Sequence, residues 1–292
     1  MSDGAGVESE GEEEAGEGMN RLVIRADAGA EMGTWHVMRC LALAQAWLRA
    51  SGSRAGGAGP VLFVSASLPE PLERRVAAER CAVARIAVQP GSAEDAERTI
   101  EQARKAGAAW VVLDGYSFDP SYQARITESG SRLLVVDDVS HFDRYPADIL
   151  LNQNLYADAS LYEGKCPRGR RLLGSRYALL RREFLDTNGW ARSHPDVARR
   201  LLISLGGGDS ENVTRQILGG VAAAGPADIE VRVVVGAAYP HGDELAPVAQ
   251  GLPFPCAVLR NVADMAAEMR WADVAILGGG SSVLEASYIQ LP

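Results

Sequence analysis

A histidine and an arginine stand three residues apart in "MGTWHVMRC", His36 and Arg39, at the start of an amphipathic segment. At helical spacing, residues i and i+3 share a face, so both would sit near the first turn. The positive end of the helix and the nearby guanidinium both disfavour an imidazolium, leaving an imidazole able to accept a proton. Asp27, Gly33, Thr34 and Trp35 precede them in a loop. The same spacing equally fits a histidine that only caps or hydrogen-bonds a helix start.

Other polar groups end apolar runs. "VVLDGY" carries Asp114 and Tyr116, "LLVVDD" carries Asp137 and Asp138, and "ILLNQN" carries Asn152 and Asn154, while Asp27 follows "LVIR". In a parallel sheet all these ends lie on one edge, where open α/β sheets bind ligands. Each alone reads as a turn or cap residue. Four runs agreeing make a common functional edge the better reading. Asp137 and Asp138 are adjacent acids of a kind that holds Mg²⁺, but no further acid completes a ligand set. No metal site and no cofactor are expected.

Two glycine loops follow apolar runs in the second half. "LISLGGGDSENVT" holds Gly206, Gly207 and Gly208 with Ser210 as the expected N-cap, and "AILGGGSSVLEA" holds Gly278, Gly279 and Gly280 before Ser281 and Ser282. Such loops offer backbone N–H groups and a helix N-terminus to phosphate. Neither is a Walker A loop or a GxGxxG motif. Glu285 follows one turn later, where a carboxylate could accept both ribose hydroxyls or be an ordinary solvated helix residue. Asn261 is counted with this nucleotide-binding set.

Positioning those groups requires a scaffold, and the apolar runs supply one. Strands are expected at Leu22–Arg25, Val61–Ser65, Val83–Val88, Trp110–Leu113, Leu133–Val136, Ile149–Leu151, Leu201–Ser204, Val231–Val235, Ala257–Arg260 and Val274–Leu277. Most are apolar throughout, as parallel strands covered on both faces are. Helical patterns at Val37–Arg49, Ala93–Ala106, Val213–Ala224 and Val262–Arg270 alternate with them, which predicts an α/β fold of two doubly wound units facing a cleft. Residues 19–185 would form the first, 186–198 ("DTNGWARSHPDVA") a polar linker, and 199–292 the second. The second reads as incomplete, because "LEASYIQLP" ends just after a new helix has begun.

The net charge of −9 owes much to residues 1–18, which hold seven acids and no bases and are expected to be a disordered tail, with Met19 a candidate start. The remaining 31 acids against 29 bases give no electrostatic footprint for nucleic acid. No run spans a bilayer, no secretory signal is present, and no apolar patch for a lipid acceptor is evident. Four scattered cysteines without CxxC spacing fit reduced thiols in a cytoplasm. Oligomeric state is not legible.

The blocks "RADAGAEMGTWHVMRCLALAQAW", "LNQN", "LLGSRYALLRREF", "LISLGGGDSENVT" and "ILGGGSSVLEAS" together resemble the UDP-sugar hydrolases of pseudaminic acid biosynthesis. These act on UDP-2,4-diacetamido-2,4,6-trideoxy-β-L-altropyranose. The resemblance implies a GT-B fold, nucleotide held mainly by the second domain, and attack of water at the anomeric carbon with release of UDP. It also implies a histidine base in a G-x-G-H-x-x-R block, which falls on Gly33, Thr34, Trp35, His36 and Arg39. Trp35 stands where the family usually has glycine, and Gly115 of "VLDGY" where it has histidine. A transferase using the same donor, and a non-catalytic nucleotide-sugar-binding remnant, are the alternatives.

Overall fold

The computed structural model describes residues 21–29, 32–50, 61–186, 190–206, 208–225, 228–236 and 239–292. The acidic segment 1–18, Met19 and Gly207 lie outside the described residues.

In chain order the first half runs β1 (Arg21–Ala26), α1 (Trp35–Ala50), β2 (Val61–Ser65), α2 (Glu70–Ala78), β3 (Ala82–Arg85), α3 (Ala93–Ala106) and β4 (Ala108–Asp114). It continues with α4 (Pro120–Glu128), β5 (Arg132–Val136), β6 (Ile149–Asn152), β7 (Arg170–Leu173) and α5 (Arg182–Leu185). The seven strands form one parallel sheet ordered β3-β2-β1-β4-β5-β6-β7. Alternate residues of β1 feed opposite cores. Leu22, Ile24 and Ala26 pack with Val37, Leu41 and Ala44 of α1, while Val23 packs on the other side with Ala96, Tyr122 and Ile126. Both faces are therefore covered, which is why Leu22–Ile24 reads as an apolar run, while Arg25 on the same strand is buried against Asp95 and Asp27.

The second half runs β8 (Arg200–Ser204), α6 (Val213–Ala224), β9 (Glu230–Val235), α7 (Gly242–Gln250), β10 (Cys256–Arg260), α8 (Met265–Trp271), β11 (Val274–Leu277) and α9 (Ser281–Tyr288). Its four parallel strands are ordered β10-β9-β8-β11. In each sheet the strand order reverses once, between β1 and β4 and between β8 and β11. Crevices open at such switch points. The helix that follows β1 carries His36 in its first turn, β4 ends on Asp114, and the two glycine loops follow β8 and β11.

All ten expected strands form, although β3 stops at Arg85 rather than Val88. Strand β7 is an addition to the expected set, because half of "RRLL" is charged. Helix α7 is another, because Pro247 interrupts its pattern.

Within the expected linker 186–198, residues 187–189 lie outside the described residues, and the chain before and after them packs on the second half. Phe184, from the segment assigned to the first unit, is fully buried in the second core with Leu202, Met265, Met269 and Ile289. Arg192 donates to the carbonyls of Met269 (2.7 Å), Ala272 (2.6 Å) and Ile289 (3.0 Å), closing the open ends of α8 and α9.

Candidate functional site

Gly29 and Gly33 exchange two backbone hydrogen bonds, closing a small loop after β1, and Gly33 takes a left-handed φ of 75°. That turn delivers Thr34, whose carbonyl accepts from the Met38 N–H, to the head of α1. His36 and Arg39 then point back to the end of β4. His36 Nδ1 lies 2.6 Å from Asp114 Oδ1, and Arg39 grips the same carboxylate through Nε to Oδ2 (2.6 Å) and Nη2 to Oδ1 (2.6 Å). The Cys40 thiol adds a fourth donor at 3.3 Å.

A carboxylate offers about four acceptor sites, so Asp114 is saturated. Burial works against its charge, but Arg39 and then His36 outweigh that and hold its pKa down to about 2. An ionised Asp114 only accepts, so in the neutral imidazole Nδ1 carries the hydrogen and Nε2 is the acceptor. Among the described residues no group hydrogen-bonds Nε2.

Arg39 is the expected partner of His36, and its Nη2 stands 3.5 Å from Nδ1. Its guanidinium is spent elsewhere, however. Beyond Asp114 it holds Asp138 through Nη1 (2.7 Å) and Nη2 (3.0 Å). Asp138 also accepts from Asn154 Nδ2 (2.9 Å) and the Tyr116 hydroxyl (3.4 Å). One guanidinium between two carboxylates leaves the group of three one unit negative.

A cleft of about 610 Å³ runs between the two sheet edges. Gly33, Thr34, Trp35, Arg39, Tyr116, Asp138 and Asn154 line one wall, and Gly206, Gly208, Asn261, Gly279, Gly280, Ser281, Ser282 and Glu285 the other. Four expected contacts do not reach it. Asp27 is consumed by Arg25 (2.7 Å) and by Ser65 Oγ, Ala66 N and Ser67 N, because a buried guanidinium and two loop N–H groups need an acceptor there. Asp114 stands behind Arg39. Asn152 is a prop: Nδ2 donates to the Asp138 carbonyl and the Tyr162 hydroxyl, and Oδ1 accepts from Asn154 N.

His36 is the fourth. Only 3% exposed, it sits under Trp35, the ring centroids 3.8 Å apart and inclined by 30°. Trp35 is itself fixed by its Nε1 bond to the Met32 carbonyl (3.0 Å) and by Arg39 at 4.3 Å from its ring centre.

Asp137 and Asp138 do not converge as a cation site. Asp137 accepts from the Ser140 N–H (2.8 Å) and the Tyr162 hydroxyl (2.5 Å), while Asp138 faces Arg39. The glycine at 115 has a local cause, since a Cβ there would come within 2.9 Å of Phe118 Cε2.

The two glycine loops differ. Asp209, rather than Ser210, caps α6 by accepting from Val213 N (2.8 Å) and Thr214 N (2.9 Å), so that helix end is already neutralised. No side chain caps α9, leaving its N-terminus at Gly280, Ser281 and Ser282 open to an anion. Gly278 keeps the loops close, for its Cβ position lies 3.1 Å from the Leu205 carbonyl.

Glu285 is neither solvated nor free. It is 2% exposed, and Arg181 binds it twice, Nε to Oε1 at 2.7 Å and Nη2 to Oε2 at 2.8 Å. Burial pushes its carboxyl above the usual value, with Arg181 pulling the other way. Arg181, Arg75 and Gln153 are lining residues that sequence reasoning missed. Arg181 had a signal, since it stands inside the "LLGSRYALLRREF" block that carried the resemblance.

No family model matches the chain. Among curated proteins it is similar to an uncharacterised protein of Methanocaldococcus jannaschii, 22% identical over 278 residues, covering 93% of this chain and 54% of that protein. It is also similar to the UDP-2,4-diacetamido-2,4,6-trideoxy-β-L-altropyranose hydrolase of Campylobacter jejuni, 27% identical over 199 residues, covering 68% of this chain and 64% of that protein. The chain thus spans between about half and two thirds of the length of these curated relatives.

Among solved structures, Anabaena HepE in complex with UDP and glucose aligns with a TM-score of 0.59 at 12% identity, over 93% of this chain and 79% of that one. The S. aureus MnaA–UDP co-structure gives 0.59 at 12%, over 93% and 78%, and Acinetobacter baumannii MurG gives 0.52 at 13%, over 92% and 76%. The fold is that of the GT-B proteins, two Rossmann-like α/β units about a cleft.

Proposed function

We propose that this chain hydrolyses a UDP-linked deoxy-diacetamido sugar at its anomeric carbon, releasing UDP and free sugar for pseudaminic acid biosynthesis. The observation that carries the reading is the His36–Asp114 dyad, with Nδ1 held by a saturated carboxylate and Nε2 without a hydrogen-bond partner among the described residues, beneath the Trp35 ring that lines the cleft. The likeness to a hydrolase of that substrate, and to folds crystallised with UDP, supports it.

In the proposed reaction His36 Nε2 takes a proton from water as its oxygen bonds to C1. The C1–O bond to the β-phosphate breaks, and its electron pair leaves with UDP. Asp114 fixes the imidazole tautomer and stabilises the imidazolium, as a buried carboxylate behind a histidine base does. The open end of α9, with Gly279, Gly280, Ser281 and Ser282, takes the developing diphosphate charge. Glu285 accepts from the ribose hydroxyls. Trp35 must turn aside as sugar and water enter, because it covers His36.

Replacing His36 with Asn or Ala should slow UDP release about 10²- to 10⁴-fold, the usual worth of a positioned base, and leave UDP affinity within about threefold. A coupled assay of UDP release together with calorimetry of UDP binding checks both. Unchanged turnover would sink the assignment.

One observation favours a second reading, a transferase with the same donor site. Tyr116, Val139 and Tyr156 are 49–59% exposed, an apolar rim at the mouth of the first wall that the sequence did not reveal. Such a rim suits an apolar acceptor. UDP release that depends strongly on an added acceptor would support it over hydrolysis.

A further inference from the structure

The geometry points to Arg181 as the positioning residue of the ribose reader: from the joint between the two halves it fixes the Glu285 carboxylate so that one acceptor site per oxygen remains for the vicinal hydroxyls of a ribonucleoside diphosphate. This rests on the reading of Glu285 given above.

Arg181 belongs to neither sheet. It immediately precedes α5, a short helix pinned from both halves. The Arg182 N–H donates to Gln45 Oε1 of α1 (2.8 Å), and Phe184 is fully buried in the second core. The guanidinium lies 5.2 Å over the Phe184 ring and is 3.1 Å from Glu183 Oε1, which itself faces Arg75 at 3.6 Å. Held in that way, its fork meets Glu285 with one N–H to each carboxylate oxygen.

A carboxylate has about four acceptor sites, and the fork uses two. The two that remain, one on each oxygen, match the paired donors of a ribose 2′,3′-diol and exceed what a single hydroxyl needs. Without the fork, burial would act unopposed on Glu285, and a neutral carboxyl loses its charge-assisted acceptor strength. A lysine keeps charge but cannot reproduce the bidentate geometry.

The test compares UDP with 2′-deoxy-UDP by calorimetry on the whole chain, in wild type, Arg181→Met, Arg181→Lys and Glu285→Gln. Wild type should bind UDP at least about tenfold more tightly than the deoxy analogue, the worth of one hydrogen bond to a charged group. Arg181→Met and Glu285→Gln should each bring the ratio near one, and Arg181→Lys should fall between. A general loss of structure would weaken both ligands alike and leave the ratio unmoved.

If Arg181→Met does not fold, Arg181→Lys decides: an intermediate ratio supports the proposal and a wild-type ratio overturns it. An unchanged ratio in Arg181→Met, or no ribose preference in wild type, also overturns it. Ribose preference lost in Arg181→Met by a protein that releases no UDP from any nucleotide sugar would defeat the hydrolase reading and leave this one standing.

Discussion

The two switch points solve different problems with different parts of the chain. At the first, between β1 and β4, side chains do everything: Arg39 joins two buried carboxylates, Asp114 is filled by four donors, and His36 is held by one of them. At the second, between β8 and β11, Asp209 caps α6, while the head of α9 is left to glycine backbone with no side-chain cap. The first wall is organised before anything binds, at the cost of burying charge. On the second wall the head of α9 is left open to an anion. Chemistry requires a proton acceptor fixed to within a fraction of an ångström, whereas holding a diphosphate requires only convergent N–H groups.

The sharpest way to break that contrast is Arg39→Met. It strands Asp114 and Asp138 with their cation gone, and removing one partner of a buried pair typically costs about 3–5 kcal/mol. Urea unfolding should show a loss of that size; a loss below about 1 kcal/mol would mean the first wall is not built on this ion cluster.

Acid should separate the halves next. Asp114 titrates at about 2 in the fold against 3.8 for the free side chain, so its contribution is complete above about pH 4 and is lost as pH falls through 2. The shift corresponds to stability on the order of 2 kcal/mol. Glu285 is shifted the other way, up, by its burial and against the pull of Arg181. Hydrogen exchange between pH 4 and 2 should therefore show the first sheet loosening ahead of the second, and Asp114→Asn should flatten that difference.

The smallest effect has opposite signs on stability and binding. Ser282→Asp places an acid in the first turn of α9, which should stabilise that helix by about 0.3–1 kcal/mol. The same charge should weaken UDP binding about tenfold through repulsion of the diphosphate. Thermal melting and calorimetry read the two. If UDP affinity does not fall, the diphosphate lies elsewhere.

Much of the scaffold was legible because parallel strands covered on both faces must be apolar throughout, a pattern that survives without neighbours. β1, β4 and β8 stand out for that reason, while β7 hid behind its arginines and α7 behind Pro247. The site was legible as an inventory. Asp114, Asp138, Asn152 and Asn154 were found because strand ends share an edge, but their roles were not readable in order. Asp114 and Asn152 proved to be props, and Asp27 serves Arg25. Asp209 took the cap expected of Ser210, because Asp209 reaches two N–H groups at once.

The sequence by itself determined the alternation of strand and helix, and with it two crevices at two sheet edges. It also determined the presence of an imidazole in one and glycine amides in the other, since these follow from periodicity and local backbone preference. Only the tertiary structure decided which groups face the cleft and which stand behind it. Trp35 covers His36, Arg39 is divided between two acids, and Arg181 meets Glu285 from 104 residues away. Those pairings are set by the Coulomb and desolvation balance of charges brought together from distant segments, which no local window of sequence contains.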